Sequence, residues 1–494
     1  MKLNKRHINN IALKMLVILQ LSFLSIMGIG CKKLIEVPAP TTSITSASAY
    51  NDDATAASVL TGIYASIAQN NFIGGGLSST SFFCGLSADE LTLYSGANST
   101  LFSAYYTNAL TNVNGGYPGD FWGVSYAIIY DANSAIQGLT ATTSLTPAVK
   151  QQLLGEATFM RAFCYFYLVN LYGDVPLVTG TNYTTNAVVP RTPKAQVWQQ
   201  IITDLKTAQG LLSKNYLDAT LLNVTSYRVR PTYWAATALL ARVYLYYGNL
   251  TGNASNYAKA DSAASVVIAN TSQFSLEPLT NVFLANNNNE AIWQLQPVTA
   301  NENTPDAWTF IIPSTGPNAG QSPVYLNNSL LNSFEAGDQR KTNWVDTITV
   351  SGTLYYFAYK YKSATYGAAV TEYEDVLRLG ELYLIRAEAQ ANGAGNGLSG
   401  ALADLNAIRT RAGLPNSTAT QSTIAAAILH ERQVELFTEW GHRWLDLKRT
   451  GNIDAVMSVV CPEKDGTWSS YKQLYPIALT ELQRDPFLVQ NQGY

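Results

Sequence analysis

Apolar residues recur along much of the chain at intervals of three and four, the spacing that turns one face of a helix toward a core. Ala54, Ala57, Leu60, Ile63, Tyr64 and Ile67 predict a helix over 49–69. Trp122, Tyr126, Ile129 and Ala132 predict a second over 121–139. Thr146-Pro147 supplies an N-cap and a proline at the first helical position, so a third helix runs to Tyr172, where Gly173 and Pro176 stop it. Thr192-Pro193 repeats that start for a helix reaching Leu212. Pro231 opens another, to Tyr247, closed by Gly248, with 257–268 as its partner. Helices over 374–391 and 398–411, joined by NGAGNG, form the next pair, and 423–447 is the last long helical stretch.

The helices come in antiparallel pairs with small residues facing large ones. In LLARVYLYYG, Ala241, Tyr244 and Gly248 fall at offsets seen in tetratricopeptide repeats, with Ala258 and Ala260 on the partner helix. Each pair leaves an apolar face that only a neighbouring pair can cover. The fold class expected is mainly α: a tetratricopeptide-like, helix-pair superhelical scaffold with long irregular loops and a few short strands. The pattern changes over 274–373, where EAIWQLQ and TLYYFAYKY have strand-like composition but most of the stretch reads as loop. A second loop-rich region covers 70–119. Long loops inside a compact protein are commonly functional, so the ligand surface is expected there and not on the helices.

The first residues break from this plan. Residues 1–14 carry Lys2, Lys5, Arg6 and Lys14 and no acid, and MLVILQLSFLSIMGI follows, ending before Gly30-Cys31. A membrane-spanning helix needs about 20 apolar residues, so this shorter run reads as an export signal. Cys31 after Gly30 resembles a bacterial lipobox, although Gly28 stands where leucine is usual. Cys31 is therefore the expected lipidation site, and several acyl chains there would hold the protein on a membrane. The organisation expected is a signal peptide over 1–30, a helical region over 31–273, a loop-rich insertion over 274–373 and a helical region over 374–494.

Cleavage before Cys31 removes four of the 31 basic residues and no acid, leaving 27 against 34 and a formal charge of −7 instead of −3. Charged residues make up 13% of the chain, about half of the roughly 25% usual in soluble domains, so the polar surface must be largely Asn, Thr, Ser and Gln. No basic excess exists to track phosphates, which argues against nucleic acid. Three histidines make a His-rich metal site improbable, and no cofactor motif is present: Gly74-Gly75-Gly76 lacks the strand and lysine of a phosphate loop. Beyond Cys31 the thiols are Cys84, Cys164 and Cys461, an odd number that cannot form a full disulfide framework.

EATFMRAFCYFYLVNLYGDVPLV (156–178) resembles the signature helix of the SusD/RagB family of Bacteroidetes outer-membrane lipoproteins. VLRLGELYLIRAEAQAN, LNAIRTRAGL, ERQVELFTEWGHRWLDLKRTG and the ending YPIALTELQRDPFLVQNQGY match its C-terminal half, and LIEVPAPTTSIT is a typical opening. The resemblance spans nearly the whole mature chain. It implies a tetratricopeptide-like scaffold, a SusC-like TonB-dependent transporter as partner, and oligosaccharides, or sometimes peptides, as ligands.

The densest charge cluster is Glu431, Arg432, Glu435, Glu439, Arg443, Asp446, Lys448 and Arg449. Glu435 and Glu439, one helical turn apart, have a spacing that could suit glycoside hydrolysis. Arg432 and Arg443 within four residues would depress both carboxylates, so these residues read as structural ion pairs. Glu374, Arg378 and Glu381 read as helix-surface pairs at spacings of four and three. Asp89-Glu90 sits beside a loop; Asp89 could orient a sugar hydroxyl or hold a cation, while bracing the loop is the plainer role.

Loop aromatics are the stronger candidates. A sugar ring offers an apolar C–H face and a rim of hydroxyls, which a flat aromatic and a neighbouring amide complement. Trp308 lies in NENTPDAWTFIIP, and Tyr94 in LTLYSGANST has Asn98 four residues on. Tyr105, Tyr106 and Tyr117 share that loop region, and Tyr325 follows GQSP. Trp122, Trp198, Trp234, Trp293, Trp440 and Trp444 fall in regular segments and read as core. The function expected is non-catalytic capture of oligosaccharides for delivery to the transporter; a peptide binder, an extracellular glycosidase and a purely structural transporter partner are the alternatives.

Overall fold

The structure, a computed structural model, describes residues 49–69, 75–114 and 121–494. The expected signal peptide, Cys31, Gly74 and Tyr117 lie outside the described residues. Helix pairs make the frame. Phe121–Ala141 packs on Pro147–Tyr172, which packs on Lys194–Leu211, which packs on Tyr233–Thr251. The series continues through Ala254–Ile268 and Leu379–Ala391 to Gly397–Arg411, so each helix covers the apolar face its predecessor exposes. Asp53–Ala68 flanks the start of the series against the first two of these helices. The mainly α, paired-helix scaffold is as the periodicity predicts.

Pro147–Tyr172 is the central member, and its second half is buried on every side. Phe159 and Phe163 pack edge-on against Trp293 at ring separations of 5.1 and 5.4 Å, and Phe163 against Trp440 at 5.6 Å. Such perpendicular contacts suit the ring quadrupoles. All six tryptophans assigned to the core are buried.

Several boundaries differ for identifiable reasons. Thr192 does not cap the helix that begins at Lys194; it pairs with Val175 in a short ladder, and the Asp174 carboxylate accepts from the Lys194 amide at 2.7 Å. Gly248 does not end its helix, which runs from Tyr233 to Thr251 and stops at Gly252 in the left-handed region (φ 65°). Gly248 instead lets the partner helix approach: a Cβ there would lie 2.9 Å from the Tyr257 ring. The stretch 374–378 is a strand, not the start of a helix; all five residues are buried, so the one-sided pattern of a surface helix is absent. Residues 423–447 divide into Ile424–Glu435 and His442–Arg449. Between them Thr438, Trp440 and Gly441 take positive φ, and Gly441 comes so close to Cys84 that a Cβ would meet it at 2.8 Å.

The described strands form four two-stranded ladders. In chain order the strands are β1 (Leu91–Leu93), β2 (Val175–Pro176), β3 (Arg191–Thr192), β4 (Ala291–Leu295), β5 (Val324–Leu326), β6 (Val345–Val350), β7 (Thr353–Ala358) and β8 (Glu374–Arg378). The pairs are β1–β5, β2–β3, β4–β8 and β6–β7, all antiparallel. Both loop-rich regions hold more order than their composition suggests. Thr80–Ser87 and Thr100–Tyr106 are helices, and three more short helices, Pro305–Phe310, Asn328–Ser333 and Gln339–Trp344, lie between 274 and 373. The β1–β5 pairing joins the two regions into one surface. Among the described residues no helix is long and apolar enough to cross a membrane.

Candidate functional site

β1 and β5 set the geometry of that surface. Leu91 opposes Leu326 and Leu93 opposes Val324, with Leu91, Val324 and Leu326 buried; Thr92 opposes Tyr325 on the other face. Tyr94 continues along the Thr92 face, and its amide donates to the Pro323 carbonyl at 2.8 Å. Its ring lies over Gly96, where a Cβ would sit 2.6 Å from the ring, so glycine is required for the ring to fold back. Asn98 follows, exposed and in the left-handed region (φ 48°).

Tyr106 ends the helix Thr100–Tyr106 and reaches the same face. Burial raises its phenol above the ordinary range, with the neighbouring Tyr325 adding to the effect and a hydrogen bond with Thr92 opposing it. Tyr325 meets Tyr355 of β7 edge-on at 5.3 Å. Ser351 (φ 51°) and Gly352 (φ 80°) form the tight β6–β7 turn, whose two positive φ values match the primed hairpin turns that keep strand twist. Asn327 donates to Thr92 at 3.1 Å. The result is a half-exposed platform of Tyr94, Tyr106, Tyr325 and Tyr355 edged by Thr92, Asn98 and Asn327. Lys464 braces it from below, its ammonium 5.1 Å from the Tyr106 ring and bonded to the Leu86 and Ala88 carbonyls that end Thr80–Ser87.

Three predicted residues, Tyr94, Tyr106 and Tyr325, thus share one face, and Asn98 lies at its margin. Tyr355 was missed; its signal is the run of tyrosines in TLYYFAYKY. Tyr105, by contrast, is core, tilted against Phe83 at 4.3 Å and edge-on to Tyr475 at 5.2 Å. Trp308 sits on the helix Pro305–Phe310, half-buried, and among the described residues its ring pairs with no other aromatic ring. Its carbonyl accepts from Ser322 at 3.0 Å, which ties this helix to the strand leading into Tyr325.

Asp89 is a correction. It is 1% exposed, and Arg443 grips both its oxygens at 2.8 Å while Ser329 donates at 3.1 Å. Burial works to raise its carboxyl, but Arg443 outweighs that and holds it low. Asp89 braces the loop and offers no oxygen to a ligand. Glu90 beside it is buried and pushed up to about 8, first by burial and then by the Asp89 charge.

The acidic pair Glu435 and Glu439 lies deep in a charge network. Arg378 contacts Glu290 at 2.9 Å, Glu435 at 2.6 Å and Glu439 at 2.7 Å; Arg411 bridges Glu290 and Glu435, Arg340 reaches Glu435 at 3.1 Å, and Lys360 reaches Glu439 at 2.5 Å. These are not the cations that sequence spacing indicates. Arg432 pairs with Asp446 and Arg443 with Asp89, while Glu381 pairs with Arg242 instead of Arg378. Burial raises both Glu435 and Glu439, but the surrounding cations prevail and hold them below the usual carboxylate range. Neither can act as a general acid, and neither faces solvent. Gly380 is needed here, since a Cβ would lie 2.6 Å from Arg378.

One group of potential metal ligands, Glu335, His430 and Glu431, occurs among the described residues. Arg409 occupies it, 2.6 Å from Glu335 and 3.2 Å from Glu431, so the carboxylates are committed to a guanidinium.

A family model described as starch-binding and associating with the outer membrane, for SusD-like proteins, matches residues 42–245. A second, for the SusD family, matches residues 346–494. The chain belongs to the SusD family. SusD-like protein P2 of Formosa agariphila is 26% identical over 94% of this chain and 97% of its own length. A laminarin-binding SusD-like protein superposes with a TM-score of 0.72 at 23% identity, covering 90% of this chain and all of that one. Surface glycan-binding protein A from Bacteroides uniformis gives 0.73 at 22% identity, over 89% and 99%. These two structures share the fold of this chain.

Proposed function

We propose that this SusD-family protein captures neutral oligosaccharides at the outer membrane and hands them to a SusC-like TonB-dependent transporter, without cleaving them. The observation that carries the reading is the platform of Tyr94, Tyr106, Tyr325 and Tyr355 with amide and hydroxyl neighbours; Asp465 and Glu463 act on Tyr106 through their charge, as the smallest of the influences on it. Flat rings match the C–H face of a pyranose, and Asn98, Asn327 and Thr92 match its hydroxyl rim. A glycosidase needs two carboxylates flanking the scissile bond, whereas Asp89, Glu435 and Glu439 are buried and paired with arginines. The names of the laminarin-binding and glycan-binding relatives point the same way. Lipidation at Cys31 would supply the membrane anchor.

Calorimetry on the mature protein with a panel of neutral glycans and of peptides tests the reading. Glycan binding without product release supports it; peptide binding alone, or appearance of shortened glycans, overturns it. Loss of membrane retention in a Cys31→Ser variant tests the anchor, and co-purification with a barrel protein tests the partner.

A further inference from the structure

A second concavity lies away from the platform. The last turns of Asp53–Ala68, the 217–230 segment and the end of β4 enclose a cleft of about 900 Å³, toward the upper end of the roughly 300–1,000 Å³ of small-molecule sites. A smaller hollow of about 260 Å³ shares Gln69, Pro297 and Val298 with it and ends at Pro305, the first residue of the helix that carries Trp308. The two share a wall as one trough, which ends at the helix whose Trp308 carbonyl accepts from Ser322, two residues before β5.

Tyr227 dominates the far end. Tyr227 is 44% exposed, and its ring lies near-parallel to the buried Tyr373 ring, 6.3 Å away at an interplanar angle of 28°. The segment carrying it is fixed beforehand. Arg228 donates to the Ala291 carbonyl at 2.6 Å and the Gln273 carbonyl at 2.8 Å, and Asp218 closes its own turn by accepting from Thr220 and Asn223. A ring held this way loses little conformational freedom on binding.

The cation of the cleft is already paired, and its carboxylate is held ionised by neutral donors of its own turn. Arg230 is paired with Glu156 at 2.8 Å, and the Asp218 carboxylate is taken up by its turn. Leu295, Val229 and Ala65 make the wall apolar, while Gln69, Gln296 and Thr225 place neutral amides and a hydroxyl around it. Glu302, on the smaller hollow, adds an acceptor for hydroxyl groups. The only cation on the lining among the described residues is paired and the carboxylates offer acceptors, so the trough disfavours an anion and suits an amphipathic, hydroxyl-rich and elongated occupant.

We propose that this trough extends the ligand site and that Tyr227 stacks on a distal unit of a neutral oligosaccharide whose other end occupies the tyrosine platform. The proposal rests on the sugar-binding reading above, and it makes the protein selective for chain length.

The test is calorimetry with β-1,3-glucan, α-1,4-glucan, β-1,4-xylan and β-1,4-mannan, each as a disaccharide and as a long oligomer, against Tyr227→Ala and Tyr325→Ala. Tyr227→Ala should weaken the long form of whichever glycan binds by roughly ten- to a hundredfold and leave its disaccharide unchanged. Tyr325→Ala should weaken both. Val298→Trp, which narrows the junction, should reproduce the Tyr227→Ala result, and an unchanged melting temperature in each variant keeps folding out of it. Equal affinity of wild type and Tyr227→Ala for the long oligomer overturns the extension while leaving the platform standing. An unaffected Tyr325→Ala strikes the platform instead, and no binding across the panel removes both.

Discussion

The C-terminal charge network and the tyrosine platform are opposites built on one frame. In the network, glutamates and arginines are buried almost completely, and each carboxylate meets more than one cation. On the platform, half-exposed phenol rings and amides face outward with no ion pair among them. Charges in a low-dielectric interior are tolerable only when paired and hydrogen-bonded, so a ligand that brought no counter-charge could not use them. Rings and exposed amides such as Asn98 need no charged partner to remain at the surface, which suits them to a neutral ligand. A chain with few charges has placed many of them where no ligand reaches.

The comparison is broken most severely at its buried side. Replacing Arg378 by Met leaves Glu290, Glu435 and Glu439 short of a cation in the interior, and should cost about 3–5 kcal/mol of stability. Chemical denaturation reads the loss. Glycan affinity, measured where the variant is still folded, should stay within twofold.

Glu90 sharpens the same contrast, because it is a buried acid whose Oε1 has no partner. Its folded-state value of about 8 lies above that of the unfolded chain. The folded protein therefore holds this proton more tightly, and stability falls as pH rises from the unfolded value through 8. Glu90→Gln should be more stable than wild type at pH 9, by on the order of a few kcal/mol, with the difference vanishing near pH 4. Melting curves across that range would show a constant offset if Glu90 were ionised throughout.

On the platform side, Tyr325→Ala should weaken glycan binding by about 1–3 kcal/mol, the range of aromatic stacking, with little change in melting temperature. The smallest effect belongs to a charge pair outside the network. Arg484 and Glu481 form an exposed pair at 2.6 Å, and Arg484→Ala should shift stability by no more than about 0.5 kcal/mol.

What could be read from sequence follows the range of the forces involved. Helices with one apolar face announce themselves through spacing, so the paired scaffold was legible from Ala54 to Arg411. The break at 436–441 was not, because its cause is the approach of Gly441 to Cys84, far away in the chain. Strand β8 was misread as helix for a related reason: its charged residues Glu374, Asp375 and Arg378 are all buried, yet in sequence they pass for the polar face of a surface helix. Tyr94, Tyr106 and Tyr325 were legible as loop aromatics, but the β1–β5 pairing that unites them was not. The bracing role of Asp89 was legible as the plainer one of two, but its partner Arg443, 354 residues away, was not. Tyr227 and Tyr373 escaped notice because three separate segments build their cleft.

Backbone hydrogen exchange with and without a bound glycan tests the central claim most directly. Exchange should slow at residues 92–98, 322–327 and 353–356, with the paired helices 233–268 and 379–411 unchanged. Slowing confined to those helices, with the tyrosine-bearing segments unaffected, would contradict it.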